Sequence, residues 1–208
     1  MAYVMPKRVR QLALTTHIAV SVGWIGAVIA YLSLDITVAT SQDTQILRAA
    51  YLMMEVITRD AIIPLAIATL LTGIIMGIGT RWGLFRHYWV VVSLLLTVLA
   101  TVVLLSEMQE ISHFASIAAD MTTSADELRA LPGTLAHSGI GLVVLLVILV
   151  INVFKPQGLT PYGRRKQKEQ QTGLDQPRER RETVFLSTVA LLLGLGGVVL
   201  ILRVGIPL

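Results

Sequence analysis

The sequence predicts an all-α integral membrane bundle of five transmembrane helices with the N-terminus inside, and three observations predict it. Of 208 residues, 54% are hydrophobic and only 14% charged, with a mean hydropathy of +0.73; soluble domains are about a quarter charged. Five apolar runs without Asp, Glu, Lys or Arg are each long enough to cross roughly 30 Å of hydrocarbon at about 1.5 Å per residue. Lysine and arginine gather between these runs on one side. Lipid cannot hydrogen-bond peptide groups, so the runs must be helices, and no barrel-like alternation is present. The composition excludes a disordered chain and argues against a soluble enzyme. The absence of cysteine removes disulfides, thiolate zinc sites, iron–sulfur clusters and cysteine nucleophiles, and leaves the redox compartment unread.

The first span is Gln11 to Leu34, preceded by Lys7, Arg8 and Arg10. Its apolar stretch exceeds the roughly 15 residues of a signal-peptide core, and Thr37-Val38-Ala39 is a poor cleavage site, so it reads as a retained helix. His17, Ser21, Trp24, Val28, Tyr31 and Asp35 follow steps of three and four, which puts them on one stripe facing the bundle interior. His17 falls inside the span, where an ionisable side chain is a functional candidate by default; the plain alternative is a hydrogen bond to a Ser or Thr of a neighbouring helix. The second span is Ala61 to Thr80. The preceding Thr44 to Arg59 lacks turn residues and extends that helix outwards. Gly73 and Gly77 form a GxxxG packing face.

The third span is Tyr88 to Ser106, with a small polar face of Ser93, Thr97, Ala100 or Thr101, and Glu107. Its helix continues beyond the membrane past Ser106 towards His113. Asp120 to Ser124 and the Leu131-Pro132-Gly133 break mark the return. The fourth span is Leu131 to Phe154, ended by Lys155-Pro156-Gln157-Gly158. Residues 155–182 form a basic cytoplasmic linker, whose cations lie against anionic headgroups at about 1 kcal/mol each. The fifth span, Thr183 to Leu202, is thinned by Gly194, Gly196 and Gly197. All five belong to one transmembrane domain, residues 1–208.

Orientation follows from the cations. With the N-terminus inside, the inner segments hold most of the 17 Lys and Arg, and the net +4 of the chain divides into +9 inside and −5 outside. The basic pI of about 9.7 is therefore a topology signal. The partner it implies is the lipid bilayer, with no nucleic acid.

The four histidines divide by side: His17 and His87 lie inwards, His113 and His137 outwards. Neutral imidazole is a common haem and metal ligand, so a pair on different helices could hold a haem iron. Outside, Glu107, Glu110, His113 and His137 gather with Glu55, Met53, Met54 and Met108. Carboxylates with imidazole suit divalent metals, and thioethers suit Cu(I). No Ser-His-Asp order, P-loop or HExxH motif is present.

Three blocks carry a family resemblance: His17-Ile-Ala-Val-Ser-Val-Gly-Trp24-Ile-Gly26, Leu71-Thr-Gly73 through Trp82-Gly-Leu-Phe-Arg-His-Tyr-Trp89, and Lys155-Pro156 through Tyr162-Gly163-Arg164-Arg165-Lys166. Over residues 12 to 168 the chain resembles a bacterial family of predicted integral membrane proteins classed as a domain of unknown function. More distantly, His17, Trp24 and Gly26 look like the opening helix of the HemJ-type protoporphyrinogen oxidases and the CopD-type copper-resistance proteins. That likeness implies haem or porphyrin at His17. In the third helix the HemJ-type relatives carry a lysine where this chain has Ser93, and a histidine is replaced near Ser106 and Glu107.

The expectation is a multi-pass protein of the bacterial cytoplasmic membrane that binds haem b or a related porphyrin, for electron transfer. Its cofactor-binding residues would be His17, Trp24, His87 and Ser93, with His17 as axial ligand and His87 as its partner. One alternative is copper or other metal handling through Glu107, Glu110, His113 and His137. Another is a non-catalytic accessory subunit that docks a larger membrane complex, or a homo-oligomer, through its glycine faces and basic linker. Whether the protein is an enzyme stays open.

Overall fold

A computed structural model describes residues 5–80 and 82–171. The expected fifth span with its glycines, the second part of the 155–182 linker, and Arg81 lie outside the described residues. The elements in order are α1 (Lys7–Thr40), α2 (Thr44–Ile57), a π-helical turn (Thr58–Ile62), α3 (Ile63–Gly79), α4 (Tyr88–Ala119), α5 (Ala125–Ala130), α6 (Leu135–Phe154) and α7 (Pro161–Gln171). No strand occurs among the described residues; His87 and Leu159 form an isolated bridge.

Four helices among the described residues are long and apolar enough to cross a membrane: α1, the continuous Thr44–Gly79, α4 and α6. They close an antiparallel ring in which α1 packs on α3 and α6, while α4 packs on α2, α3 and α6. The outward faces leave Leu12, Leu95, Leu99, Val102, Ile140 and Phe154 exposed over more than half of their surface, as helices bathed in lipid require.

Local chemistry sets the breaks. Asp43 caps α2 by accepting the Gln45 N–H at 2.8 Å and the Ile46 N–H at 3.4 Å. The expected outward continuation of the second span is present as α2, joined to α3 without a loop. The π turn falls immediately before Pro64, whose missing N–H and bulky ring cannot serve the carbonyl of Asp60 in an ordinary α-helical register. The fourth span begins later than its apolar run suggests, at Leu135 rather than Leu131. Pro132 and Gly133 hold the chain out of the helix up to Thr134, which precedes the first turn without a side-chain cap. The third span runs on to Ala119, and Ser124 with Glu127 forms a capping box that opens α5. The segment after Lys155, read from composition as linker, runs without helix to Thr160 and then forms α7.

Charge divides the two ends of the bundle. The basic end carries Lys7, Arg8, Arg10, Arg86, Lys155 and Arg164; the acidic end carries Asp43, Glu110, Asp120, Asp126 and Glu127. At the basic end, the Met5 N–H donates to the Gly79 carbonyl at 3.0 Å. There too Thr160 donates from its hydroxyl to the Phe85 carbonyl at 2.6 Å and from its N–H to that of Arg86 at 3.0 Å. Buried Gly163 lies so close that a Cβ would clash with the Arg86 carbonyl oxygen. This approach is why the turn into α7 needs glycine.

Large side chains concentrate towards the acidic end. Leu47, Tyr51 and Met54 of α2, Ile111 and Phe114 of α4, and Leu128 of α5 are buried there. The Tyr51 and Phe114 rings meet edge-to-face at 6.2 Å. Arg48 stitches the end of α4 to its loop, donating to the carbonyls of Ala118 (2.8 Å), Asp120 (2.6 Å) and Thr123 (2.5 Å).

Candidate functional site

The α1 stripe faces inwards as its spacing predicts: Trp24, Val28, Tyr31 and Asp35 are the buried residues of α1, with His17 and Ser21 half-buried below them. By rise, His17 sits about 15 Å above the start of α1 at Lys7. Its Nδ1 lies 2.8 Å from Thr72 Oγ1 on α3. The Thr72 hydroxyl donates back to the Ala68 carbonyl at 2.7 Å, so its only proton is used. With the Thr72 proton on Ala68, the imidazole is the donor of this pair from Nδ1, the direction being set by its tautomer. The imidazole packs on Gly73, where a Cβ would lie 3.3 Å from His17 Cε1. Gly73 thus gives the ring its place, a narrower role than the helix-packing face its GxxxG spacing suggests. The neighbouring Thr69 is only 7% exposed, and its Oγ1 has no hydrogen-bond partner.

Across the interior, Ser93, Thr97 and Thr101 of α4 are buried. Thr97 and Thr101 spend their protons on backbone carbonyls one turn back, those of Ser93 and Thr97, each at 2.8 Å. Asn152 of α6 donates to Ser93 Oγ at 3.2 Å. The half of the bundle nearer the basic end is therefore lined by hydroxyl, amide and imidazole groups, with Trp24 as its buried aromatic roof.

His87 is not brought to His17. It caps α4 at the turn below Gly79, about 10 Å by helical rise from the level of Thr72. There its Nδ1 donates to the Trp82 carbonyl at 2.7 Å, and its ring meets Trp82 edge-on at 5.1 Å and Trp89 at 6.4 Å.

The residues expected to form an outer metal site are also dispersed. His137 Nε2 lies 3.9 Å from Glu107 Oε1, whereas Glu110 and His113 are exposed and His113 rests its ring near Phe114. Met54 is part of the apolar core, and Met53 is exposed. Among the described residues, no group of three or more His, Asp or Glu side chains could hold a metal ion.

A second polar centre, absent from the sequence-derived site, lies at the acidic end. Asp35 is 3% exposed. Its Oδ1 accepts the Thr134 hydroxyl and its Oδ2 the Ser138 hydroxyl, both at 2.5 Å. Because the Thr134 proton points to Asp35, the Tyr31 hydroxyl 3.1 Å away donates to Thr134. Glu107 Oε2 is buried without a hydrogen-bond partner. The clue in the sequence was Asp35 closing the α1 stripe. Its partners on the first turn of α6 could be found only once the helices were packed. In the loop beyond, the Thr122 hydroxyl and N–H hold the Asp120 carboxyl below its ordinary value.

Compared with protein-family models, curated proteins and solved structures, the chain matches none.

Proposed function

We propose that the protein is a multi-pass protein of the bacterial cytoplasmic membrane, with the N-terminus inside and a fifth helix at Thr183–Leu202, that binds haem b or a related porphyrin through His17 for electron transfer. The observation that carries this reading is the His17–Thr72 pair. A metal-ligating histidine ordinarily donates its second ring N–H to a fixed acceptor, which sets the tautomer and aims the ligating nitrogen. Thr72, 2.8 Å from Nδ1 with its own proton on the Ala68 carbonyl, would serve as that acceptor for His17. The surrounding Ser, Thr and Asn groups and Trp24 give a polar wall with an aromatic roof inside an otherwise apolar bundle, and the unpartnered Thr69 hydroxyl offers a further donor. The first-helix likeness to the HemJ-type proteins supports the same residue. His87, one level lower and held by Trp82, is left out of the ligand set. Bound haem would supply one-electron chemistry, with the bundle setting ligation and burial.

Concentration of cations at one end supports the orientation, since that end would face the cytoplasm and its anionic lipid. The visible spectrum of protein purified after expression with ample haem tests the reading. We expect a Soret band that is lost in a folded His17→Ala variant. A colourless wild-type preparation, or a band indifferent to His17, would overturn it.

A further inference from the structure

We propose that the acidic end of the bundle is a proton-exchange site, in which His137 and Glu107 pass protons between water and the buried Asp35–Thr134–Tyr31 chain. Titratable side chains descend there in order of exposure. The His137 side chain is 61% exposed and that of Glu107 is 23% exposed; Tyr31 is 6% and Asp35 3% exposed. The first two stand 3.9 Å apart, a separation one small reorientation closes to hydrogen-bonding distance. Asp35 is faced by Tyr31 of α1, Tyr51 of α2 and His137 of α6, and Glu107 of α4 faces the other end of the chain at Tyr31. Chains of Asp, Glu and His within membrane helices are the usual means of moving protons there.

The hydrogen-bond directions show what one proton would do. In the structure Tyr31 O–H donates to Thr134, and Thr134 O–H donates to the Asp35 carboxylate, with Ser138 O–H on the other oxygen. A proton taken from water by His137 and handed to Glu107 enters the chain at Tyr31; each hydroxyl passes its own proton to the next, and Asp35 is neutralised. The new Asp35 O–H then donates to Thr134, the Thr134 hydroxyl turns towards Tyr31, and Tyr31 releases its former acceptor. One proton is gained, no bond other than O–H is broken, and the chain reverses. The Glu107 Oε2 atom, buried without a partner, provides a waiting acceptor between surface and interior. A rigid clamp of α1 on α6 would use the Asp35 hydrogen bonds alone and has no need of Glu107 or His137.

Infrared difference spectroscopy after a rapid acid jump separates the two. We expect a carboxylic-acid carbonyl band to rise on acidification in the wild type and to vanish in Asp35→Asn. In Glu107→Gln that band should rise about a hundredfold more slowly, the smaller end of what a positioned proton donor contributes. Should Asp35→Asn fail to fold, Ser138→Ala keeps the carboxyl but removes one of its donors and must shift the band. No band on acidification, a band unmoved by both Asp35→Asn and Ser138→Ala, or an unchanged rate in Glu107→Gln would each overturn the proposal.

Discussion

The two halves of the bundle are built on different principles. Towards the acidic end the interior is filled by Tyr51, Met54, Ile111, Phe114 and Leu128, and polar groups there are tied by specific bonds such as those of Arg48 and Asp35. Towards the basic end the interior is Ser93, Thr97, Thr69 and Gly73 around a half-buried His17. Dense packing of large side chains stabilises and rigidifies. Small hydroxyl residues bring helices close and leave polar groups inside. The contrast assigns stability chiefly to one half and gives the other the polar interior in which the proposed porphyrin would sit.

The strongest way to break that contrast is a matched pair of truncations. Phe114→Ala, in the large-residue core, should cost about 3–5 kcal/mol. Thr97→Ala, in the hydroxyl-lined half, should cost under about 1 kcal/mol, since its proton goes to a carbonyl already in the helix ladder. Thermal unfolding in detergent measures both, and equal losses would erase the distinction. Arg48→Ala comes next. It removes a charged donor from three carbonyls, and about 2 kcal/mol should be lost, with hydrogen exchange accelerating first in residues 118–123. Exchange that rises instead around His17 would place the damage in the wrong half.

The smallest effect is on pH. Asp120 is held below its ordinary value by Thr122, so its contribution to folding is present above the unfolded carboxylate range and is lost as pH falls through the lowered folded value. Acidification should therefore loosen the loop after α4 slightly, and Asp120→Asn should abolish that response. Because the group is fully exposed, a large acid-induced loss at this site would contradict the structure.

Much of this division is written in local sequence, but not all of it. The spacing of Trp24, Val28, Tyr31 and Asp35 identifies the inward face of α1, because a helical stripe needs only its own period. The unbroken helix from Thr44 follows likewise from the lack of turn residues. Polar partners across helices are another matter. Nothing near Asp35 in the chain points to Thr134 and Ser138, about a hundred residues on, and nothing near His17 points to Thr72. His17 and His87 look equivalent as inward histidines, yet their levels differ because α4 starts only after the Trp82 turn. Glu107 and His137 do meet, while Glu110 and His113 turn outwards on the same helix as Glu107. Within the Arg- and Lys-rich stretch that composition reads as linker, nothing local announces that Thr160 and Gly163 dock the start of α7 on the turn before α4.

The central claim is that the hydroxyl-lined half holds a porphyrin on His17. Haem titrated into purified protein, followed by its Soret absorption, tests it most directly when the four single histidine-to-alanine variants are compared at matched folding. The account predicts saturable, ligated binding in the wild type and in the His87, His113 and His137 variants, and loss of ligation in His17→Ala alone. Undiminished binding by His17→Ala, or none by the wild type, would contradict it.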